Sequence, residues 1–374
     1  MLVTTDKGNN YRVFALISNK IIGKVNRKLF EDTIYPNLGV KSSDVKVGPQ
    51  FGVDFGVLRV GDKDLIIEVD PVYIVPEYGW KKSSWFAVHI LASDVAVSGI
   101  PPKYLFIDLN LPMKMTDDEF KEMWLNIHNE CLKLGISIVA GHTGRYEGID
   151  YPMIGGATLI GITDKDNYVS PAMAEPGDLI LMTKGPAIET AGILASLFPQ
   201  VLEKDYGKEF ALNAQNIFWL QSVVDDALTL SKLGLRKGVK AMHDATEYGV
   251  WGALNDIAEA SNIRIDVYKD KLFIREDVSK VLDSFSRFTN LKIDPYASIS
   301  EGTLIAAISK DMKDEAINLL KERGIEAQII GEAKEGRGVY LIDGNEKEIK
   351  QPEKDDFWPI FYKTLELVKG GKYE

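Results

Sequence analysis

The chain has 374 residues, 45% of them hydrophobic, and a single cysteine. That length suits two domains with real cores, and one cysteine excludes an intrachain disulfide. A formal net charge of −11 repels nucleic acid and anionic membranes, and it repels a phosphate ligand unless bound cations or oriented N–H groups reverse the local sign.

No apolar run approaches the ~18 residues of a membrane span, and the first residues have no apolar signal core. A cytoplasmic protein is expected, with no nucleic-acid and no membrane partner.

In chain order, residues 1–45 are polar with a short helix expected over 21–35. Strands are expected at 55–60 and 65–69, the second ending in Asp70 before Pro71. Trp85, Val88, Ala92 and Val95 have helical spacing within 84–98. A strand at 104–109 precedes a helix opened by Thr116, with Glu119 completing a capping box. Phe120, Met123, Trp124, Ile127, Cys131 and Leu134 form its apolar stripe, and Gly135 stops it. A strand at 136–140 runs into the turn GHTGR, residues 141–145, and another lies near 154–162.

The polar, Pro- and Gly-punctuated stretch 163–177 reads as a domain boundary. The organisation expected is an N-terminal domain over 1–165, a C-terminal domain over 170–345 and a tail over 346–374. The second half restarts with a strand at 178–182 and a helix at 188–197. HDATEYG follows at 243–249, then a helix to 260 and a strand at 264–268. A strand at 303–309, a helix at 313–323 and a strand at 326–330 come next. The tail is charged from Glu346, and its amphipathic segment 357–368 reads as a docking helix. Residues 104–142 and 303–331 share a strand, acidic helix start, helix, Gly-Ile and strand. Duplication and the general habit of helices to end in Gly explain that echo equally well.

The sequence has no G-x-x-x-x-G-K-[ST] loop, no G-x-G-x-x-G after a strand and no G-x-S-x-G. One cysteine and four histidines cannot make a Cys-rich zinc site. What remains is a set of acidic residues at strand ends and in Gly-rich turns: Asp54, Asp70, Asp94 and Asp244. Strand ends of open α/β sheets are where ligands bind, and magnesium takes one or two carboxylates plus phosphate oxygens and water. A lone Asp in a turn is more often a local cap, so the pattern counts only as a set. His142 reads as a phosphate contact, a ligand or a turn residue. Lys184, before a Gly-Pro break and a helix start, reads as an anion site or a solvated lysine. His89 reads as a core histidine, Cys131 as packing and His128 as surface.

Together these segments resemble the AIR synthase-related superfamily, which includes thiamine-monophosphate kinase, selenophosphate synthetase and the hydrogenase-maturation protein HypE. GVDFGV resembles the family's GDDAAV, and VDP its strand-ending Thr-Asp. AVHILASDVAVSGIPP resembles AVNGTVNDVAMMGARP, and IVAGHTG its GDT or GGHTE turn. HDATEYGVWGALNDIAEAS is similar to the HypE phrase HDATRGGLATALNEIA, and SISEGTLIAA to a later Glu-Gly strand entry. The correspondence runs from about residue 24 to 331.

The resemblance implies a two-domain α/β (α+β) fold. Its N-terminal domains pair strands across a homodimer into a β-barrel, and its C-terminal sheet is covered by helices. It implies ATP, Mg2+ and a small-molecule substrate. Asp54, Asp70 and Asp94 would hold metal or phosphate. Gly141, His142 and Thr143 would lie near the phosphates, and Asp244, Thr246 and Gly249 would line the cleft. Asp244 and His142 are the catalytic candidates. A HypE-like branch also implies a maturation-protein partner.

The chain departs from the pattern at Val53, His89, Ser93 and His142, where the family has Asp, Asn, Asn and Asp. HypE ends in Pro-Arg-Ile-Cys and this chain in KGGKYE, so cyanide synthesis is not expected; nor is selenophosphate synthesis, since no reactive Cys lies in the N-terminal segment. The expected activity is ATP-dependent phosphorylation of an amide, acyl or phosphate oxygen. The alternatives are a small-molecule kinase of the thiamine-monophosphate kind and a non-catalytic nucleotide-binding scaffold.

Overall fold

The computed structural model describes Val25 and residues 27–371. The expected helix over 21–35 lies partly outside the described residues. From Arg27 to Asn37 the chain makes a turn of α-helix, then π and 3-10 turns. The i,i+4 pairs Arg27–Glu31 and Lys28–Asp32 support them.

The body from Gly39 onward carries two sheets. The first has strand order β1-β2-β3-β6-β4-β5. Its strands are β1 (Val45–Val47), β2 (Gly56–Val60), β3 (Lys63–Tyr73), β4 (Tyr104–Pro112), β5 (Ser137–Tyr146) and β6 (Met153–Asp164). Only β4 and β5 run parallel, and the helix Asp117–Leu134 connects them, as a parallel crossover requires. The capping box at its start is formed. Glu119 N–H donates to Thr116 Oγ1 at 3.2 Å, and Thr116 N–H to Glu119 Oε2 at 2.8 Å. Gly135 ends it in the left-handed region.

Two strands run longer than their sequence suggests. β3 does not end at Asp70: it continues through Pro71 to Tyr73, paired with β6. Proline is tolerated there because β2 accompanies β3 only as far as Ile67, leaving the far side without a ladder. GHTGR is not a turn either. Residues 141–145 continue β5 alongside β4, Gly141 opposite Ile107 and His142 opposite Asp108. A Cβ at Gly141 would stand 2.2 Å from the Ile107 carbonyl oxygen, so this residue is glycine because the neighbouring strand passes too close for a side chain.

The second sheet has order β13-β12-β9-β11-β7-β10-β8. Its strands are β7 (Leu179–Thr183), β8 (Val239–Asp244), β9 (Arg264–Tyr268), β10 (Leu304–Ile308), β11 (Ala327–Lys334), β12 (Gly338–Asp343) and β13 (Asn345–Ile349). The sheet therefore extends to Ile349, beyond the expected end at 345, because β13 forms a hairpin with β12. The echo between the halves is only local. β4 and β5 are neighbours, whereas β7 lies between β10 and β11.

One core joins the two sheets. Ile66, Leu105 and Leu109 of the first pack in the same cluster as Leu181, Met242 and Leu304 of the second. The helix Trp80–Ala96 lies inside this core. It is buried on almost every side from Ser83 to Ala96, which explains why its sequence is apolar all round rather than striped. A third cluster, of helices, holds Ile188–Leu197, Glu276–Thr289 and the C-terminal Phe357–Lys369. The expected docking helix thus packs with Phe198 and Phe285 through Phe357 and Ile360.

Thr116→Ala removes an N-cap whose loss costs about 1 kcal/mol. Urea unfolding should show the midpoint lowered with an unchanged slope; an unchanged midpoint would discount the cap.

Candidate functional site

Strand alternation sorts β3 into two faces. Asp64, Ile66, Glu68, Asp70 and Val72 face the helices, while Val69 and Pro71 face outward. Glu68 and Asp70 therefore emerge side by side on the covered face. Asp94, near the end of the helix Trp80–Ala96, meets them there. One oxygen from each of Glu68, Asp70 and Asp94 lies within 4.8 Å of the others. Asp94 stands near a helix C-terminus, where the backbone dipole disfavours negative charge.

A second group abuts the first. β8 ends in His243 and Asp244, and the loop before β2 brings in Asp54. Ligand atoms of Asp54, His243 and Asp244 again lie within 4.8 Å of one another. His243 Nδ1 stands 2.9 Å from Asp54 and 3.5 Å from Asp244, with Nε2 3.4 Å from Asp256. Glu301, just before β10, joins them. No hydrogen-bond partner meets either carboxylate oxygen of Glu68, Asp244 or Glu301, and all three residues are at most 2% exposed.

Burial and mutual repulsion govern the titration. Burial, then the charges of Asp70, Asp54 and Asp244, push Glu68 well above the carboxylate range. Burial and the charge of Asp244 do the same to Asp94 and Glu301. Burial also works against Asp244, but His243, 3.5 Å away, outweighs it and holds Asp244 low. For His243, burial lowers the pKa, and the charge of Asp54 with hydrogen bonds to the carboxylates around it raises it well above normal. One imidazole thus faces a crowd of acids.

Such a donor set fits a hard divalent cation. Magnesium prefers oxygen ligands, and a buried carboxylate without a partner is costly unless neutralised. The residues that fit are Asp54, Glu68, Asp70, Asp94 and Asp244. Sequence reasoning missed Glu68, His243 and Glu301. Glu68 was accessible from strand period alone, being two residues before Asp70.

Other expected site residues lie elsewhere. His142 faces outward on β5, exposed, with Nε2 2.7 Å from Tyr146 OH. β6 and β4 separate β5 from β3, about 14 Å at the usual strand spacing. Gly141 and Thr143 are likewise exposed, so one chain does not bring this trio to the aspartates. Lys184 is not an open anion site. It is 6% exposed, and its Nζ donates to Asp226 at 2.8 Å and to the Ser222 carbonyl at 2.7 Å. Burial leaves its charge no alternative to a partner. Thr246 acts through its backbone, its carbonyl accepting from Ser300 and Gly249. Gly249, at φ 59, opens the helix Gly249–Ala260, and a Cβ there would meet the Ser298 carbonyl oxygen at 2.4 Å. His89 is a core histidine as expected. It stacks on Trp85 at 4.2 Å, and Nδ1 is 2.8 Å from Ser222 Oγ.

Comparison with known proteins bears on the family and the fold. The model of the AIR synthase related protein N-terminal domain matches residues 52–163, and that of the C-terminal domain residues 175–344. A putative hydrogenase expression/formation protein of Methanocaldococcus jannaschii is 26% identical over 85% of this chain and 91% of its own. A thiamine-monophosphate kinase of Pyrococcus horikoshii is 26% identical over 86% and 92%. Among solved structures, AaThiL complexed with AMPPCP and TMP has a TM-score of 0.67 at 21% identity, covering 89% of this chain and 98% of that one. Hydrogenase maturation protein HypE in complex with ATP has a TM-score of 0.61 at 21% identity, covering 91% and 98%. The HypE–HypF complex has a TM-score of 0.65 at 20%, covering 87% and 99%.

Beside the cluster, burial pushes Glu189 from its ordinary 4.5 up to about 8, although the Glu301 N–H that it accepts lowers it. Its folded pKa exceeds its unfolded one, so its contribution to stability is full below about 4.5 and is lost as pH rises through 8. Denaturation in chelator should show stability falling across that window, with Glu189→Gln flattening the fall; an equal slope in both would reject this assignment.

Proposed function

This chain belongs to the AIR synthase related protein family, and from that membership we propose that it is an ATP- and magnesium-dependent phosphoryl-transfer enzyme. The observation that carries the reading is the convergence of buried carboxylate oxygens without partners, drawn from both sheets onto one spot. Glu68, Asp70 and Asp94 would hold one cation, and Asp54 with Asp244 another. Bound magnesium supplies positive charge that offsets the charge developing on a transferred phosphoryl group.

The chain's own residues prepare that site. His243 stands between Asp54, Asp244 and Asp256 and fixes their separation. His243, 3.5 Å away, holds Asp244 below the ordinary carboxylate range, which favours a ligand role over a general base. Glu68 and Asp94 are 1% and 9% exposed, so charges there act strongly. The substrate would be a small molecule with an amide, acyl or phosphate oxygen. A kinase of the thiamine-monophosphate kind is the second reading, since one relative with 26% identity bears that name. On the HypE-like reading a maturation protein is the expected partner; HypE itself has been solved with HypF.

A homodimer is part of the proposal. The uncovered face of the first sheet carries Leu65, Ile67, Phe106 and Ile160 half exposed, with Val60, Val69 and Ile162 open. Such a contiguous apolar face marks an interface. Pairing through it would bury these side chains, and His142 lies on the same face as Asp108 opposite it. No described helix is long and apolar enough to cross a membrane.

Calorimetry with magnesium and a non-hydrolysable ATP analogue, then phosphate-release assays, tests the activity. Tight binding without turnover would favour a scaffold. Asp70→Asn should weaken the magnesium-dependent affinity at least about tenfold, or 1.4 kcal/mol; full affinity would remove Asp70 from the site. Sedimentation should give a dimer that Ile67→Asp converts to monomer, and a monomeric parent chain would end the pairing model.

A further inference from the structure

The family match ends at residue 344, yet the segment after it reaches back to the loops that follow Asp244 and precede Glu301. Asp355 is 5% exposed and accepts three backbone N–H groups from three segments. Its Oδ2 accepts from Tyr248 at 2.8 Å; its Oδ1 accepts from Ile299 at 3.2 Å and from Phe357 at 2.9 Å. Tyr248 lies in the loop that follows Asp244, and Ile299 in the loop that precedes Glu301. Tyr248 also holds a left-handed backbone at φ 66, a conformation a non-glycine residue keeps only where its surroundings enforce it.

The two loops are tied to each other as well. Ser300 N–H donates to the Thr246 carbonyl at 3.3 Å, and Ala245 N–H to the Thr303 carbonyl at 2.8 Å. Glu301 N–H donates to Glu189 at 3.1 Å. The helix Phe357–Lys369, buried through Phe357 and Ile360, anchors Asp355 from behind. Asp356 adds a fourth tie by accepting from Asp294 N–H at 2.9 Å.

We propose that Asp355 is a positioning residue: its carboxylate staples the loops that carry Asp244 and Glu301, so the tail sets the geometry of the cation site without touching the cation. This rests on the proposed metal-binding function. Carboxylates aimed at a cation must be held to within a fraction of an ångström, and neighbours that hold ligands in place govern affinity.

Asp355→Asn separates stapling from bulk stability. With its carbonyl in the Oδ1 position, the amide keeps Ile299 and Phe357 but turns an NH2 toward the Tyr248 N–H. Ile360→Ala is the control, since it loosens the same tail helix and leaves the carboxylate alone. Both full-length variants are titrated with magnesium alone and with magnesium plus a non-hydrolysable ATP analogue. Amide hydrogen exchange is read over residues 245–249 and 298–301, and melting temperatures are taken in parallel. The expected result for Asp355→Asn is affinity about tenfold or more lower, the usual cost of losing a group that orients ligands, with faster exchange in both loops. Ile360→Ala should lower the melting temperature at least as much and keep its affinity. Parent-like affinity in Asp355→Asn, or losses in both variants that track melting temperature, would overturn the proposal. If the parent chain binds neither probe, the functional reading fails instead. The staple is then decided by exchange: faster loops in Asp355→Asn than in Ile360→Ala uphold it, and equal rates defeat it.

Discussion

Like charges packed out of water repel, and this fold gathers them at one place. Asp54, Glu68, Asp70, Asp94, Asp244 and Glu301 come from five segments and two sheets. Folding the chain confines them with His243 among them, and the raised pKa values of Glu68, Asp94 and Glu301 register that cost. A bound cation would offset that cost, and protonation offsets it otherwise. The cluster is therefore the feature around which the rest of the body is arranged.

Charges elsewhere in the body are treated differently, which sharpens the contrast. Lys184 and Asp226 are as buried as the cluster, yet they pair with each other and with Thr183 and Ser222. Asp64 is fully buried and takes two bonds from Arg59 and one from the Asp166 N–H. Asp355 is satisfied by three backbone donors. Structural carboxylates here have partners. Both oxygens of Glu68 and of Glu301 lack hydrogen-bond partners, and that difference marks the cluster off from the braces.

The helix Trp80–Ala96 makes the convergence possible. Sealed within the core shared by the two sheets, it carries Asp94 to the carboxylates of β3 and Ser93 to the N–H of Val223. A helix so placed cannot shift without repacking both halves, since interiors are close-packed. The acidic cluster is thereby held on the side of the first sheet by the core, and the loops on the side of the second by their own hydrogen bonds and by those to Asp355.

The sequence by itself determined the elements with strong local chemistry. Thr116, Glu119 and Gly135 delimit their helix through caps that involve only near neighbours. The helix at 188–197 and the strand at 264–268 stand where the sequence placed them, and the order of the motif segments carried the family. The aspartates at 54, 70, 94 and 244 were legible as a set because their residue type suits a hard cation. Only the tertiary structure decided what each polar residue meets. Pro71 marks a strand end locally but is accommodated where β3 lacks a second neighbour. Lys184 has the same local sequence whether solvated or paired, and Asp226 is forty-two residues away. Glu301 and His243 became visible when β8 and β10 paired, Leu304 opposite Asp244. Contacts between residues far apart in the chain have no local signature; the sheets and the shared core create them.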